Sequence, residues 1–303
     1  TPLEQNHPNR TWRWGSANVS DQYNFIANAE FGVTDSLSAY GFASYGHKNT
    51  DAESFFDPPS TLRTNFGSVA LARYPDGRVP ITRYDLEDYA ATGGLRFDAE
   101  NVGKFDFAIS YGTNIVKSTD QNAINASWGT ASPSTIYTGK RAFDQTNITL
   151  DWTHDIANAF LAKPLTLSAG ITWRKENYKL SEGDPAAWQN GPFYNTVDPI
   201  TGRRIPGYYS GVTNVDAGSL DRRVLGAYFD AEAQFTKKLS GGAAIRTEDY
   251  SDFGRTTNGK LSLRYEATPT FATRATASTG YRAPSLVQSG FSSFSVQVVE
   301  QPR

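Results

Sequence analysis

The chain has 303 residues, no Cys, no Met and a formal net charge of −2. Without Cys there is neither a disulfide framework nor a thiolate metal site, and the near-neutral balance argues against a generic basic surface for nucleic acid. No apolar run approaches the ~18 residues of a membrane helix, no charged-then-apolar leader opens the chain, and the lack of Met leads us to expect an internal piece of a longer polypeptide.

Taken in chain order, alternation of apolar and polar residues predicts ten strands, at roughly 21–33, 37–47, 86–98, 104–117, 144–155, 165–179, 223–235, 240–251, 258–267 and 271–282. In the first, Tyr23, Phe25, Ala27, Ala29, Phe31 and Val33 share one side, opposite Asn24, Asn28 and Glu30, with Ile26 out of pattern. The second is the weakest, because Tyr40 and Phe42 fall on its polar side. The fourth sets Phe105, Phe107, Ile109 and Tyr111 against Lys104, Asp106, Ser110 and Asn114. The sixth sets Leu165, Leu167, Ile171 and Trp173 against Arg174 and Glu176, and the seventh sets Leu225, Ala227 and Phe229 against Asp230 and Glu232. In the last three, Arg246, Glu248, Lys260, Arg264, Glu266, Arg274 and Arg282 all fall on the polar side.

The connections alternate in length. Short turns at 34–36, 99–103, 156–164, 236–239 and 268–270 carry Gly, Pro, Asn, Asp and Ser. Long ones at about 48–85, 118–143 and 180–222, with a shorter one near 252–257, lie at the other end. A soluble sandwich has no reason to sort its turns in this way, whereas an outer-membrane barrel pairs tight periplasmic turns with long extracellular loops. An Arg or Lys facing lipid costs ~2–4 kcal/mol at the midplane, so the charged side must line the interior. On the apolar side Phe31, Phe97, Phe105 and Phe235 lie near the short turns, while Tyr23, Tyr45, Tyr89, Tyr111, Trp173 and Tyr281 lie toward the long loops. Two aromatic belts around an apolar band are what membrane interfaces select.

The stretches Arg246 to Gly254, Lys260 to Tyr265 and Ser278 to Gln288, the last containing Arg282-Ala283-Pro284-Ser285-Leu286, resemble the barrel of TonB-dependent outer-membrane receptors. Tyr74 to Gly77, Asn125 to Gly129 and Tyr228 to Glu232 add upstream support. In that family a closed barrel of twenty-two strands surrounds an N-terminal plug. The resemblance therefore implies an all-β, antiparallel meander of about ten transmembrane strands, a partial barrel over 1–303 without a recognisable plug. It also implies residence in the outer membrane of a Gram-negative bacterium. The partners implied are the plug and the TonB complex through the parent chain, a small-molecule nutrient such as an iron chelate or carbohydrate, and outer-membrane lipid.

No catalytic constellation is present. His7, His47 and His154 lack the spacing of a metal site, and neither a nucleophile elbow nor a phosphate-binding Gly loop occurs. We therefore expect no enzyme activity, cofactor or metal. The ligand candidates are loop residues Trp128, Tyr137, Trp188, Tyr194, Tyr208 and Tyr209, with Arg73 and Arg78 to draw an anion toward the mouth. The same aromatics equally suit loop-on-loop packing. The charges Arg174, Glu176, Asp230, Glu232, Arg246, Glu248, Lys260, Arg264, Glu266, Arg274 and Arg282 are candidates for facing the lumen and the plug, paired largely with one another. Two other readings stay open, a passive porin-like channel and a soluble all-β carbohydrate-binding protein.

Overall fold

Side chains that alternate in character favour a pleated backbone, since each residue then meets the environment it suits. The computed structural model describes residues 18–157, 160–208 and 210–290. Among them ten strands form one sheet in sequence order. They are β1 (Asn18–Gly32), β2 (Leu37–Glu53), β3 (Ile81–Ala99), β4 (Gly103–Gln121), β5 (Thr135–Ile156), β6 (Leu165–Ser181), β7 (Gly218–Gln234), β8 (Leu239–Tyr250), β9 (Gly254–Thr268) and β10 (Phe271–Ser278). Every neighbouring pair is antiparallel, and β1 and β10 are the two edges.

The register keeps the two faces separate across the whole sheet. Phe107 lies opposite Leu95 and Leu150, Leu150 opposite Ile171, and Ile171 opposite Ala227. Arg246 lies opposite Tyr228, whereas Phe229 meets Ile245, so the arginine and the phenylalanine point to opposite sides. The apolar face is strongly solvent-accessible in the isolated chain: Leu225 is 60% and Leu261 65% exposed. That is the composition of a surface built for hydrocarbon rather than water.

Local turn chemistry fixes the short end. Thr34 Oγ1 accepts from the backbone N–H groups of Ser36 (3.3 Å) and Leu37 (3.1 Å). Thr236 Oγ1 does the same for Lys238 (3.2 Å) and Leu239 (3.1 Å), so two distant hairpins share one Thr-led turn. At the start of β4, Gly103 has φ +123° and a Cβ there would lie 2.6 Å from the Thr153 carbonyl oxygen. Only glycine fits that corner.

At the other end the strands run further than alternation predicts. β2 continues to Glu53, β3 begins at Ile81 and β5 at Thr135, because backbone pairing persists after the contrast between the two faces has faded. The connections shrink to 54–80, 122–134 and 182–217, and the last is a tight turn at 251–253. Nor are they structureless. They hold α1 (Pro59–Asn65), α2 (Ser68–Arg73), a 3-10 turn (Ala126–Ala131) and α3 (Pro185–Trp188). β10 stops at Ser278, so Arg282 lies outside any strand, on the way to the short helix α4 (Leu286–Gly290).

Among the described residues, all three buried apolar clusters sit at this end. The first groups Leu62, Ala70 and Ile124, the second Ala123, Ile136, Ala186 and Ala187, and the third Tyr178, Leu180, Val212 and Leu286. Tyr178 and Leu180 share the face of Glu176 by strand alternation, and buried Tyr250 shares that of Glu248. The loops thus fold over the charged face and leave the apolar face bare.

Candidate functional site

The three loops are knit into one cap by buried polar hubs. Asn125 is fully buried. Its side-chain N–H groups donate to the carbonyls of Ala186 (3.0 Å) and Gln189 (3.1 Å), and its carbonyl accepts from Ser127 Oγ (2.6 Å). Asp198, also buried, accepts from the backbone N–H groups of Ser68 (2.6 Å), Ile200 (2.9 Å) and Thr201 (3.0 Å). Burial alone would raise its pKa, but these donors outweigh it and hold the carboxyl at about 2. The close approach requires Gly67, whose φ is +83° and whose Cβ would lie 2.7 Å from Asp198 Oδ2. Asp120, near the end of β4, accepts from Thr82 Oγ1 (2.8 Å), the Tyr208 hydroxyl (2.7 Å) and the Ser210 hydroxyl.

The predicted loop residues divide by exposure. Trp128, Trp188 and Tyr208 pack against the cluster of Ala123, Ile136, Ala186 and Ala187. The indole N–H of Trp128 donates to the Gln189 carbonyl (3.0 Å) and that of Trp188 to the Gly183 carbonyl (3.2 Å). Burial, and then the Asp120 charge, push the Tyr208 hydroxyl well above the usual phenol range. Tyr137 is half-buried at the start of β5. Tyr194 is 45% exposed beside exposed Phe193. Tyr209 lies outside the described residues.

The two arginines are held within the loops. Arg78 is buried, bonded to Asp57 Oδ2 (3.0 Å) and the Asn122 carbonyl (2.7 Å), with its guanidinium 4.7 Å from the Phe66 ring centroid. Arg73 donates to the carbonyls of Ser132 and Thr130. These contacts bind the first loop to the second. Arg83 belongs to β3, where it forms a two-pronged pair with Asp51 (2.8 and 2.9 Å).

On the charged face, Arg174 pairs with Glu176 (2.9 Å), Arg246 with Glu248 (2.8 Å), and Arg264 with Glu266. Tyr40, out of pattern in the sequence, donates to Asp106 (2.7 Å) under the guanidinium of Arg96, which is 4.1 Å from its ring centroid. Toward the short turns, Lys260, Arg264, Arg274 and Glu232 line a depression of about 520 Å³. Arg264 and Arg274 are direct cross-strand partners there; Glu266 neutralises Arg264, while Arg274 forms no ion pair among the described residues. Asp230 shares the same face, opposite Ala244.

Arg222 was not singled out by sequence reasoning, yet it is the most connected cation of the rim. Only 2% exposed, it bonds Asp252 (2.8 Å), Glu176 (3.5 Å) and the Pro284 carbonyl (2.9 Å), with Phe253 at 5.2 Å. Pro284 and Leu286, which packs in the third cluster, belong to the 282–286 element. The only signal available was an Arg at an inward position on β7.

His47 meets Asp85 and Glu87, with potential ligand atoms within 4.8 Å of one another. The Lys117 ammonium, 3.5 Å from Asp85 and 3.3 Å from Glu87, already neutralises that group. His7 lies outside the described residues, and His154 stacks on Trp152.

A family profile for the TonB-dependent receptor-like β-barrel matches residues 15–301. Among solved structures, the chain is similar to a siderophore receptor, PirA of Acinetobacter baumannii, at 12% identity and TM-score 0.54, covering 87% of this chain and 34% of that one. It is also similar to two variants of the ferric enterobactin receptor PfeA of Pseudomonas aeruginosa. One matches at 14% identity and TM-score 0.57, covering 88% and 34% of the two chains. The other matches at 15% and 0.53, covering 92% and 36%. No curated protein sequence matches. The chain spans about a third of the length of these solved receptors.

Proposed function

This chain belongs to the TonB-dependent receptor β-barrel family, and from that premise we propose that its parent protein is an energy-coupled outer-membrane receptor for a scarce nutrient. The observation that carries the reading is the family match over residues 15–301, on a wall that is apolar outside and charged inside. The ten strands form part of a larger closed barrel, since an open sheet with edges β1 and β10 would leave backbone groups unsatisfied in lipid. The charged face lines the lumen. Arg274 and Lys260, which line one depression on that face, meet acidic groups of a plug domain.

The ligand is a bulky, partly flat solute, an iron chelate or a carbohydrate, met by the loop cap. Phe193 and Tyr194 offer exposed rings for stacking. Trp128, Trp188, Tyr208, Arg73 and Arg78 hold the cap that presents them. Inward movement is driven through the TonB complex. Uptake of a radiolabelled ferric chelate or oligosaccharide by cells producing the parent protein tests this. Uptake should disappear both when the parent gene is deleted and when TonB is absent. Uptake that persists without TonB at the same rate would make the protein a passive channel instead.

A further inference from the structure

Beyond Ser278 the chain leaves the ladder and turns back over the charged face as a strap. Its first tie is to β9, where the Thr279 N–H donates to the Gly259 carbonyl (3.0 Å) and the Gly259 N–H to Thr279 Oγ1 (3.0 Å). Tyr281 then meets Phe253 in the β8–β9 turn, with ring centroids 5.5 Å apart. The Pro284 carbonyl accepts from Arg222 on β7 (2.9 Å), and Leu286 is buried with Tyr178 and Leu180 of β6 and Val212 of the third loop. The strap therefore spans four strand spacings from β10, ~19 Å at ~4.8 Å each. It is held differently from the three loops. Those are joined to one another through Asn125 and Asp198, and Val212 itself is fixed by backbone bonds to Thr138 (2.8 Å) and Gly183 (3.0 Å). Among the described residues, the strap beyond Tyr281 is tied down by one hydrogen bond, at Pro284, and one fully packed side chain, Leu286. Two features lower the cost of lifting it. Arg222 keeps Asp252 and Glu176 on the wall when Pro284 leaves, so no buried charge is stranded. The Tyr178 hydroxyl, in the cluster that Leu286 completes, is buried with no hydrogen-bond partner among the described residues and gains water on opening.

We propose that the strap, residues 279–290, is the movable part of the cap. It lifts from Tyr178, Leu180 and Arg222 and opens a passage along the inner face of β6 to β9, while the knitted loops stay in place. The inference rests on the uptake reading and assigns the gate of that passage to the Arg282-Ala283-Pro284-Ser285-Leu286 element. Capture precedes opening, because Phe193 and Tyr194 belong to the third loop and do not move with the strap.

This stretch of the parent receptor has no Cys, so V212C/L286C can be closed across the cluster by a disulfide or a short bismaleimide. Cells producing the double variant are assayed for surface binding and for uptake of the radiolabelled ferric chelate or oligosaccharide that the wild type accumulates. The crosslinked receptor should bind the label as the wild type does and take it up on the order of tenfold more slowly. Reducing the disulfide should restore the rate. Uptake at the wild-type rate by fully crosslinked receptor would overturn the gate. Loss of binding together with uptake would also overturn it, since the strap would then act in capture rather than passage. Heat-modifiable gel migration checks assembly. If the double variant does not assemble, L286C alone is labelled with a membrane-impermeant maleimide. Cargo should then speed labelling in cells with TonB and leave it slow in cells without, and one rate in both sinks the proposal. A wild type that accumulates neither label defeats the uptake reading; wild-type uptake that crosslinking leaves untouched defeats this inference alone.

Discussion

The wall and the cap of this molecule solve opposite problems with the same chain. In the wall, backbone pairing runs from β1 to β10, and among the described residues the large apolar side chains buried on its strands, Ile136, Tyr178, Leu180, Val224 and Tyr250, all lie toward the loop end. Side chains there point into two different solvents. In the cap, short helices and loops bury Leu62 and Ile124 completely around polar hubs, and cover Ile136 at the start of β5. The wall therefore depends on what surrounds it, and the cap carries its own core. The cap is built over one side only, so the loops themselves distinguish the inner face from the outer.

The sharpest way to break that contrast is to place charge on the wrong side of the wall. Ile109→Arg or Leu167→Arg should each cost ~2–4 kcal/mol near the midplane and block assembly of the parent protein, read as loss of the folded, heat-modifiable species. Ser110→Arg, on the neighbouring inner position of β4, should assemble normally. Equal behaviour of all three would reverse the faces. Next comes the rim, where wall and cap meet. Arg222→Met takes the buried cation from Asp252 and leaves Glu176 only its Arg174 partner, and should cost ~1–3 kcal/mol. It should release the 282–286 segment to limited proteolysis while the barrel stays embedded.

Within the cap the effects are local. Asp198→Ala strands the Ser68, Ile200 and Thr201 N–H donors, at ~1–3 kcal/mol, and should open the third loop to protease with no loss of barrel assembly. The same carboxylate predicts a pH response. Its folded pKa of about 2 lies below the ordinary 3.8, so the stabilisation is complete above that ordinary value and is lost as pH falls through about 2. Pepsin cleavage of the loop should rise over that window in the wild type and be already high in Asp198→Ala. Smallest is Tyr208→Phe, which removes one of three donors to Asp120 and should cost about 1 kcal/mol, measured as faster amide exchange in 206–212.

Much of the wall was legible because period-2 alternation is written residue by residue. Phe105 to Tyr111 and Leu225 to Phe229 read as strands without help from elsewhere. The ends of the strands were not legible. Beyond Tyr45 or Tyr111 both faces carry polar residues, so the pattern fades while the hydrogen-bonded ladder continues to Glu53 and Gln121. Tyr40 looked like an exception in sequence because its role depends on Asp106, sixty-six residues away. Arg73 and Arg78 looked free because the carbonyls they bind, at Ser132 and Asn122, come from a different loop.

By itself, then, the sequence determined the number of strands, their order along the chain and which side chains share a face, since alternation is a local property. Tertiary structure alone decided which loop residues are held inside the cap and which stay exposed, and why Arg222 anchors the 282–286 element. Those contacts join residues far apart in the chain, and no local period records which distant donor will meet which acceptor.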